Sequence, residues 1–169
     1  MWCQRHMIEY GTTSEQLGRV AVACRANAAK NERAMMREPM TLADHQASRM
    51  IVEPFHLLDI CLETDGACAL LVTSAERARD LAKPPVYISG AAYGGGPNQG
   101  DDLFDAIRWP DLSHNYARYI ADELWAGAGV GPEDVDIAEI YDCFTYSVLS
   151  PLEGFGFCGE GEGGAFVED

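Results

Sequence analysis

Leu17, Val20, Ala21, Cys24 and Ala28 recur at intervals of three and four, the spacing of one apolar helix face. The helix opens on Thr13-Ser14-Glu15-Gln16, a capping box in which the Thr13 hydroxyl accepts a first-turn amide and Gln16 reaches back to the N–H of the cap. It is expected to end near Asn31. A second box, Thr41-Leu42-Ala43-Asp44, predicts a shorter helix toward Met50, while Pro39 and Pro54 stop any continuation. Residues 1–60 therefore read as a helical, loop-rich domain.

From Leu57 the pattern changes. Ala67 to Thr73 is a continuous apolar run after the turn Thr64-Asp65-Gly66 and predicts a strand buried on both faces. Ser74 caps a predicted helix over 75–82, and Pro84-Pro85 ends it. A second strand is expected over Val86–Ala92, leading into the turn-rich loop Tyr93 to Gly100. Tyr116, Ile120, Leu124 and Ala128 fall four apart, predicting a helix capped by Ser113 and closed by Gly129 and Gly131. Val135–Ile140 is the third expected strand, and it delivers Tyr141-Asp142-Cys143-Phe144. The stripe Tyr146, Leu149, Leu152, Phe155 follows, its regularity limited by Pro151 and Gly154.

Strand, helix, strand, helix, strand, helix is the order of an α/β layer with parallel crossovers, and the carboxyl end of such a strand is where ligands and catalytic groups gather. Three strands are few for a sheet. The tail Gly159-Glu160-Gly161-Glu162-Gly163-Gly164 reads as a mobile loop with nothing to pack on it. The chain is thus expected to be a piece of a larger protein, divided as a helical loop domain over 1–60, the end of one α/β half over 61–83 and the start of another over 84–169, or else a module whose sheet a partner completes.

Charge narrows the partners. The formal net charge is −15, against a nucleic-acid or anionic-membrane surface, which demands a basic face. Residues 1–50 hold seven Lys or Arg and five acids, whereas 51–169 hold five and twenty-two. Arg25, Lys30, Arg33, Arg37 and Arg49 form the basic concentration to which an anionic ligand would be drawn, although each alone is more simply read as a solvated helix-face charge. The sequence shows neither a membrane-spanning apolar run nor the layout of a signal peptide, so the expected location is the cytoplasm. The six cysteines form no Cys-x-x-Cys pair. No disulfide and no metal site is expected, and His6 near Cys3 reads as a lone surface histidine.

The formal G-x-G-x-x-G at Gly159, Gly161 and Gly164 follows a helix-like segment and carries Glu160 and Glu162, whose charges repel phosphate, so it is not a nucleotide site. Asp65 is read as a turn residue and Cys143 as a small hydrophobe, with no His near it in sequence. Tyr141 differs because a phenol both donates and accepts. It can protonate a developing enolate, or take a proton from a hydroxyl if its pKa falls; the competing reading is aromatic packing. Asp142 either orients a partner or caps the next segment.

Three stretches together carry a family resemblance. His6 to Leu17, Leu57 to Ala78 with Asp65-Gly66-Ala67-Cys68-Ala69, and Val135 to Phe144 resemble, in this order, the thiolase superfamily in its branch of sterol carrier protein-x thiolases and lipid-transfer-protein steroid side-chain aldolases. The resemblance implies an α/β, incomplete thiolase-like fold, with a loop domain that covers coenzyme A plus parts of the N- and C-terminal halves. Where the carrier-protein thiolases have His-Asp-Cys-Phe, this chain has Tyr141-Asp142-Cys143-Phe144, similar to the steroid aldolases. That departure favours retro-aldol cleavage of a β-hydroxyacyl-CoA over thiolysis of a 3-ketoacyl-CoA by a thiolase or acetyl-CoA acyltransferase; a non-catalytic acyl-CoA or lipid-binding module is the third possibility. The resemblance implies Tyr141, with Asp142 beside it, as catalytic and Phe144, with Cys143, on the substrate side, to which the basic concentration adds Arg25, Arg37 and Arg49. Coenzyme A enters as part of the substrate, with no tightly bound cofactor. A homodimer and a small partner with an OB-fold domain are further implications, as are other catalytic groups beyond both ends, which would leave the isolated 169 residues without turnover.

Overall fold

The computed structural model describes residues 1–101 and 105–168. Its elements are α1 (Trp2–Tyr10), α2 (Ser14–Ala28), α3 (Leu42–Ala47), a hairpin of β1 (Met50–Val52) and β2 (Phe55–His56), α4 (Ala75–Ala78), α5 (Tyr116–Ala128), α6 (Thr145–Gly154) and α7 (Gly163–Phe166). Short 3₁₀ turns stand at Leu57–Asp59, Asp105–Arg108 and Pro132–Asp134. Both expected capping boxes form: Thr13 with Gln16 and Thr41 with Asp44 each satisfy two helix-start amides reciprocally. Gly129, at φ 72°, stops α5 as a left-handed cap that a Cβ would strain. The cap at its other end is Asn115, whose Oδ1 accepts the Ala117 amide at 2.8 Å, not Ser113, whose amide and hydroxyl donate to Asp111 Oδ1.

Helix α2 is the centre of the packing. It lies against α3, α6, α7 and the Leu57–Asp59 turn, and Leu17 joins Cys3, Tyr146 and Leu149 in a buried cluster bordered by Met7, Phe55 and Val167. Leu17 and Leu149 are fully buried, each contributing on the order of 1.5–3 kcal/mol. The small residues on these helices allow close approach. A Cβ at Gly18 would lie 2.7 Å from His45 Nδ1 and from Leu42 Cδ1, and one at Gly154 would lie 2.8 Å from Ala117 Cβ.

Two expectations change here. The segments read as strands over Ala67–Thr73, Val86–Ala92 and Val135–Ile140 form no ladder among the described residues; the antiparallel hairpin β1–β2 is their one sheet. Leu70 is 94% and Val86 96% exposed. A strand needs partners for its backbone groups and, when apolar on both faces, cover on both, and the described residues supply neither. The glycine-rich tail, conversely, is ordered onto the core. Gly163 and Gly164 are buried, α7 packs on α6 and α2, and the Gly161 and Gly163 amides donate to the Glu153 carboxylate at 2.9 and 2.8 Å.

Candidate active site

The segment Tyr141–Phe144 enters α6, and its position is set by pairing with the stretch after the Leu57–Asp59 turn. Ile60 and Phe144 form an antiparallel bridge, and the Cys61 amide donates to the Cys143 carbonyl at 3.1 Å. The Phe144 ring packs on Phe55 of β2 with centroids 5.0 Å apart, which ties the hairpin to this rung. At the next position Thr145 Oγ1 donates to Asp59 Oδ1 at 2.7 Å. Around this pairing lies a cavity of about 360 Å³ walled by the C-terminal half of α2, the loop after it and the two bridged stretches. Val20, Cys24, Met35, Met36, Met40 and Ile60 give it a mostly apolar lining, while Arg25 and Asp142 supply opposite charges.

The expected site residues are placed unequally. Tyr141 is 75% exposed. Asp142 lines the cavity with Arg25, and Arg25 is anchored by an Nη1 hydrogen bond to the Glu38 carbonyl at 3.0 Å. Cys143 is half-buried, its Sγ 3.1 Å from Ser147 Oγ. Arg37 and Arg49 are exposed and are not among the cavity's lining residues. Burial first, and the Asp142 charge second, push the Cys24 thiol up; burial alone is the main cause for Cys3, raised to about 12, and Cys158, raised to about 11. These three remain protonated thiols and are poor nucleophiles.

Sequence reasoning missed the buried polar centres. His6, expected at the surface, is fully buried, with Nδ1 2.9 Å from Thr12 Oγ1 and Nε2 3.0 Å from Glu153 Oε1. His45, Asp59 and Thr145 form a second centre, and no local spacing signals either, since their partners come from distant parts of the chain. A third, more exposed group joins Asp111, His114 and Glu160, whose ligand atoms lie within 4.8 Å of one another. A His with two carboxylates suits a hard or borderline cation, but these carboxylates are engaged by protein donors. Glu160 Oε1 is hydrogen-bonded by His114 Nε2 at 2.8 Å and Tyr10 OH at 2.9 Å, and Asp111 Oδ1 by the Ser113 amide and hydroxyl.

Those hydrogen bonds have a pH consequence. The His114 and then the Tyr10 hydrogen bonds hold Glu160 below its ordinary value of 4.5, and the Ser113 hydrogen bonds hold Asp111 below 3.8. A carboxylate with a depressed folded-state pKa adds stability that is complete above its unfolded value and is lost as pH falls through the folded value. The thermal midpoint is accordingly expected to fall as pH drops below about 4.5, and to fall less steeply in Asp111→Asn/Glu160→Gln. Identical acid limbs for the two proteins would contradict this assignment.

Comparison with known proteins places the arrangement. Residues 100–169 match the family described as thiolase C-terminal domain-like. The whole chain is 47% identical to the steroid side-chain-cleaving aldolase of Thermomonospora curvata and 44% identical to the 17-hydroxy-3-oxo-4-pregnene-20-carboxyl-CoA lyase of Mycobacterium tuberculosis, covering 43% and 44% of those proteins. It superimposes over its full length on 44% of a solved chain of the Ltp2-ChsH2(DUF35) aldolase, with a TM-score of 0.94 and 46% identity. The chain thus spans less than half the length of these relatives. Its fold is thiolase-like, and over its whole length its sequence is similar to these steroid side-chain aldolases and lyases.

Proposed function

We propose that the chain forms part of an acyl-CoA carbon–carbon lyase that cleaves a β-hydroxyacyl-CoA by a retro-aldol reaction in lipid or steroid side-chain degradation. The observation that carries this reading is Tyr141, an exposed phenol at the mouth of α6, next in sequence to a residue of the apolar cavity. In the reaction the β-hydroxyl loses its proton, its oxygen becomes a carbonyl, the Cα–Cβ bond breaks, and the thioester enolate so formed takes a proton at Cα. Tyr141 is the proposed proton donor to that enolate, a task that suits a phenol of ordinary pKa near 10. The proton released from the hydroxyl restores it, so nothing beyond the substrate is consumed. Asp142 and Arg25 give the cavity its charged end, and Cys143 and Phe144 hold the segment beside it.

Coenzyme A is bound in this reading through its phosphates by the basic residues of the 25–49 region, with Arg25 nearest the cavity and Arg37 and Arg49 at the surface. Homodimer pairing and a second protein bearing an OB-fold domain belong to the same proposal, the latter supported by a solved relative whose name joins two components. The cytoplasm is the proposed location; among the described residues no helix is long and apolar enough to cross a membrane. Calorimetry tests the ligand. Coenzyme A should bind with an affinity that falls as salt rises, and Arg25→Ala with Arg37→Ala should weaken binding ~10-fold or more, the scale of one lost charge-assisted hydrogen bond. Binding indifferent to both salt and these substitutions would remove coenzyme A from this region.

A further inference from the structure

Asp59 is a fully buried carboxylate engaged by three donors. Oδ1 is 2.8 Å from His45 Nε2 and accepts from Thr145 Oγ1 at 2.7 Å, while Oδ2 accepts the His56 amide at 2.7 Å. The other ring nitrogen of His45 stands 3.1 Å from Gln46 Nε2. An amide donor there leaves Nδ1 as acceptor, so Nε2–H is the one given to Asp59. Three donors from α3, the hairpin and α6 thus converge on one side chain.

The position of this convergence matters more than its strength. Asp59 with Thr145, Ile60 with Phe144 and Cys61 with Cys143 are successive rungs of one antiparallel register, of which a single bridge belongs to the backbone ladder. So short a ladder specifies register weakly, and a slip of one residue turns every side chain to the other face. In the observed register Asp142 lines the cavity and Tyr141 is exposed beside it, and a slip exchanges the two.

We propose that the Asp59–Thr145 bond, braced by His45, is a register pin that fixes which of Tyr141 and Asp142 faces the substrate. Asp59, Thr145 and His45 are therefore positioning residues for the reaction, a role that rests on the lyase reading, although the pin itself is a structural statement that can be tested without turnover. The register energy resides in a side-chain rung because the backbone supplies so little of it.

The test uses the whole gene product, labelled with fluorotyrosine, its Tyr141 resonance assigned through Tyr141→Phe. Thr145→Val keeps the shape and removes the hydroxyl, and Thr145→Ser restores it. Thr145→Val is expected to shift or split the Tyr141 ¹⁹F signal and to lower kcat ~10- to 100-fold with KM little changed, while Thr145→Ser returns both toward wild type. Should Thr145→Val fail to fold, His45→Gln, which removes only the brace, is read by the same signal. A Tyr141 resonance unmoved in the folded variant, or equally moved by Thr145→Ser, overturns the pin. A wild-type enzyme that leaves β-hydroxyacyl-CoA intact overturns the lyase reading instead, and the ¹⁹F arm still decides the pin.

Discussion

Replacing Tyr141 with phenylalanine is expected to slow cleavage of a β-hydroxyacyl-CoA by ~10²-fold or more, the scale of a lost general acid. The substitution removes one oxygen and keeps the ring. Because Tyr141 is 75% exposed, nothing in the core is disturbed, and stability should stay within about 0.5 kcal/mol of wild type. The loss should fall on kcat and kcat/KM together, the signature of an interaction made in the transition state rather than in substrate binding. A rise in KM at constant kcat would make Tyr141 a binding residue only. The chain spans 43–44% of the relatives' length.

The largest expected loss of stability is at a residue that takes no part in the chemistry. Glu153, near the C-terminal end of α6, accepts from His6 Nε2 at 3.0 Å and from the Gly161 and Gly163 amides at 2.9 and 2.8 Å, with a side chain only 9% exposed. It therefore ties α6 to α1 and to the glycine-rich turn before α7. Glu153→Ala would leave a fully buried imidazole and two backbone amides without their acceptor. Each stranded buried donor costs ~1–3 kcal/mol, so a combined loss of about 3 kcal/mol or more in urea unfolding is expected. Glu153→Gln, which retains one acceptor oxygen, should lose less. If Glu153→Ala were as stable as the parent, water would have to replace the carboxylate fully, and the hub would be dispensable.

What the sequence made legible follows physical range. The capping boxes of α2 and α3 and the glycine stop of α5 depend on residues three or four apart, and all three stand as expected. The location of the Tyr141–Phe144 segment immediately before a helix was legible as well, as was the apolar stripe of α2, whose first part, Leu17 and Val20, faces the core while Cys24 and Ala28 continue into the cavity. The buried histidines were not legible. His6 meets Glu153 across 147 residues, and Asp59 meets Thr145 across 86, so neither pair leaves a local pattern. Strand periodicity misled for a related reason. Apolar runs specify burial, but a ladder requires a neighbour, and the described residues provide none for Leu70, Val86 or Ile137. The basic concentration was resolved only in space, with Arg25 turned to the cavity and Arg37 and Arg49 left at the surface.

Free-thiol stoichiometry during cleavage tests the lyase assignment most directly. Retro-aldol cleavage of a β-hydroxyacyl-CoA makes a carbonyl compound and a shorter acyl-CoA without consuming free coenzyme A, whereas thiolysis of a 3-ketoacyl-CoA consumes one coenzyme A for each bond broken. With the whole gene product, a β-hydroxyacyl-CoA should be cleaved with the free-thiol signal unchanged, at a rate that collapses in Tyr141→Phe. Cleavage confined to a 3-ketoacyl-CoA, matched by an equal loss of free thiol and unaffected by Tyr141→Phe, would contradict it.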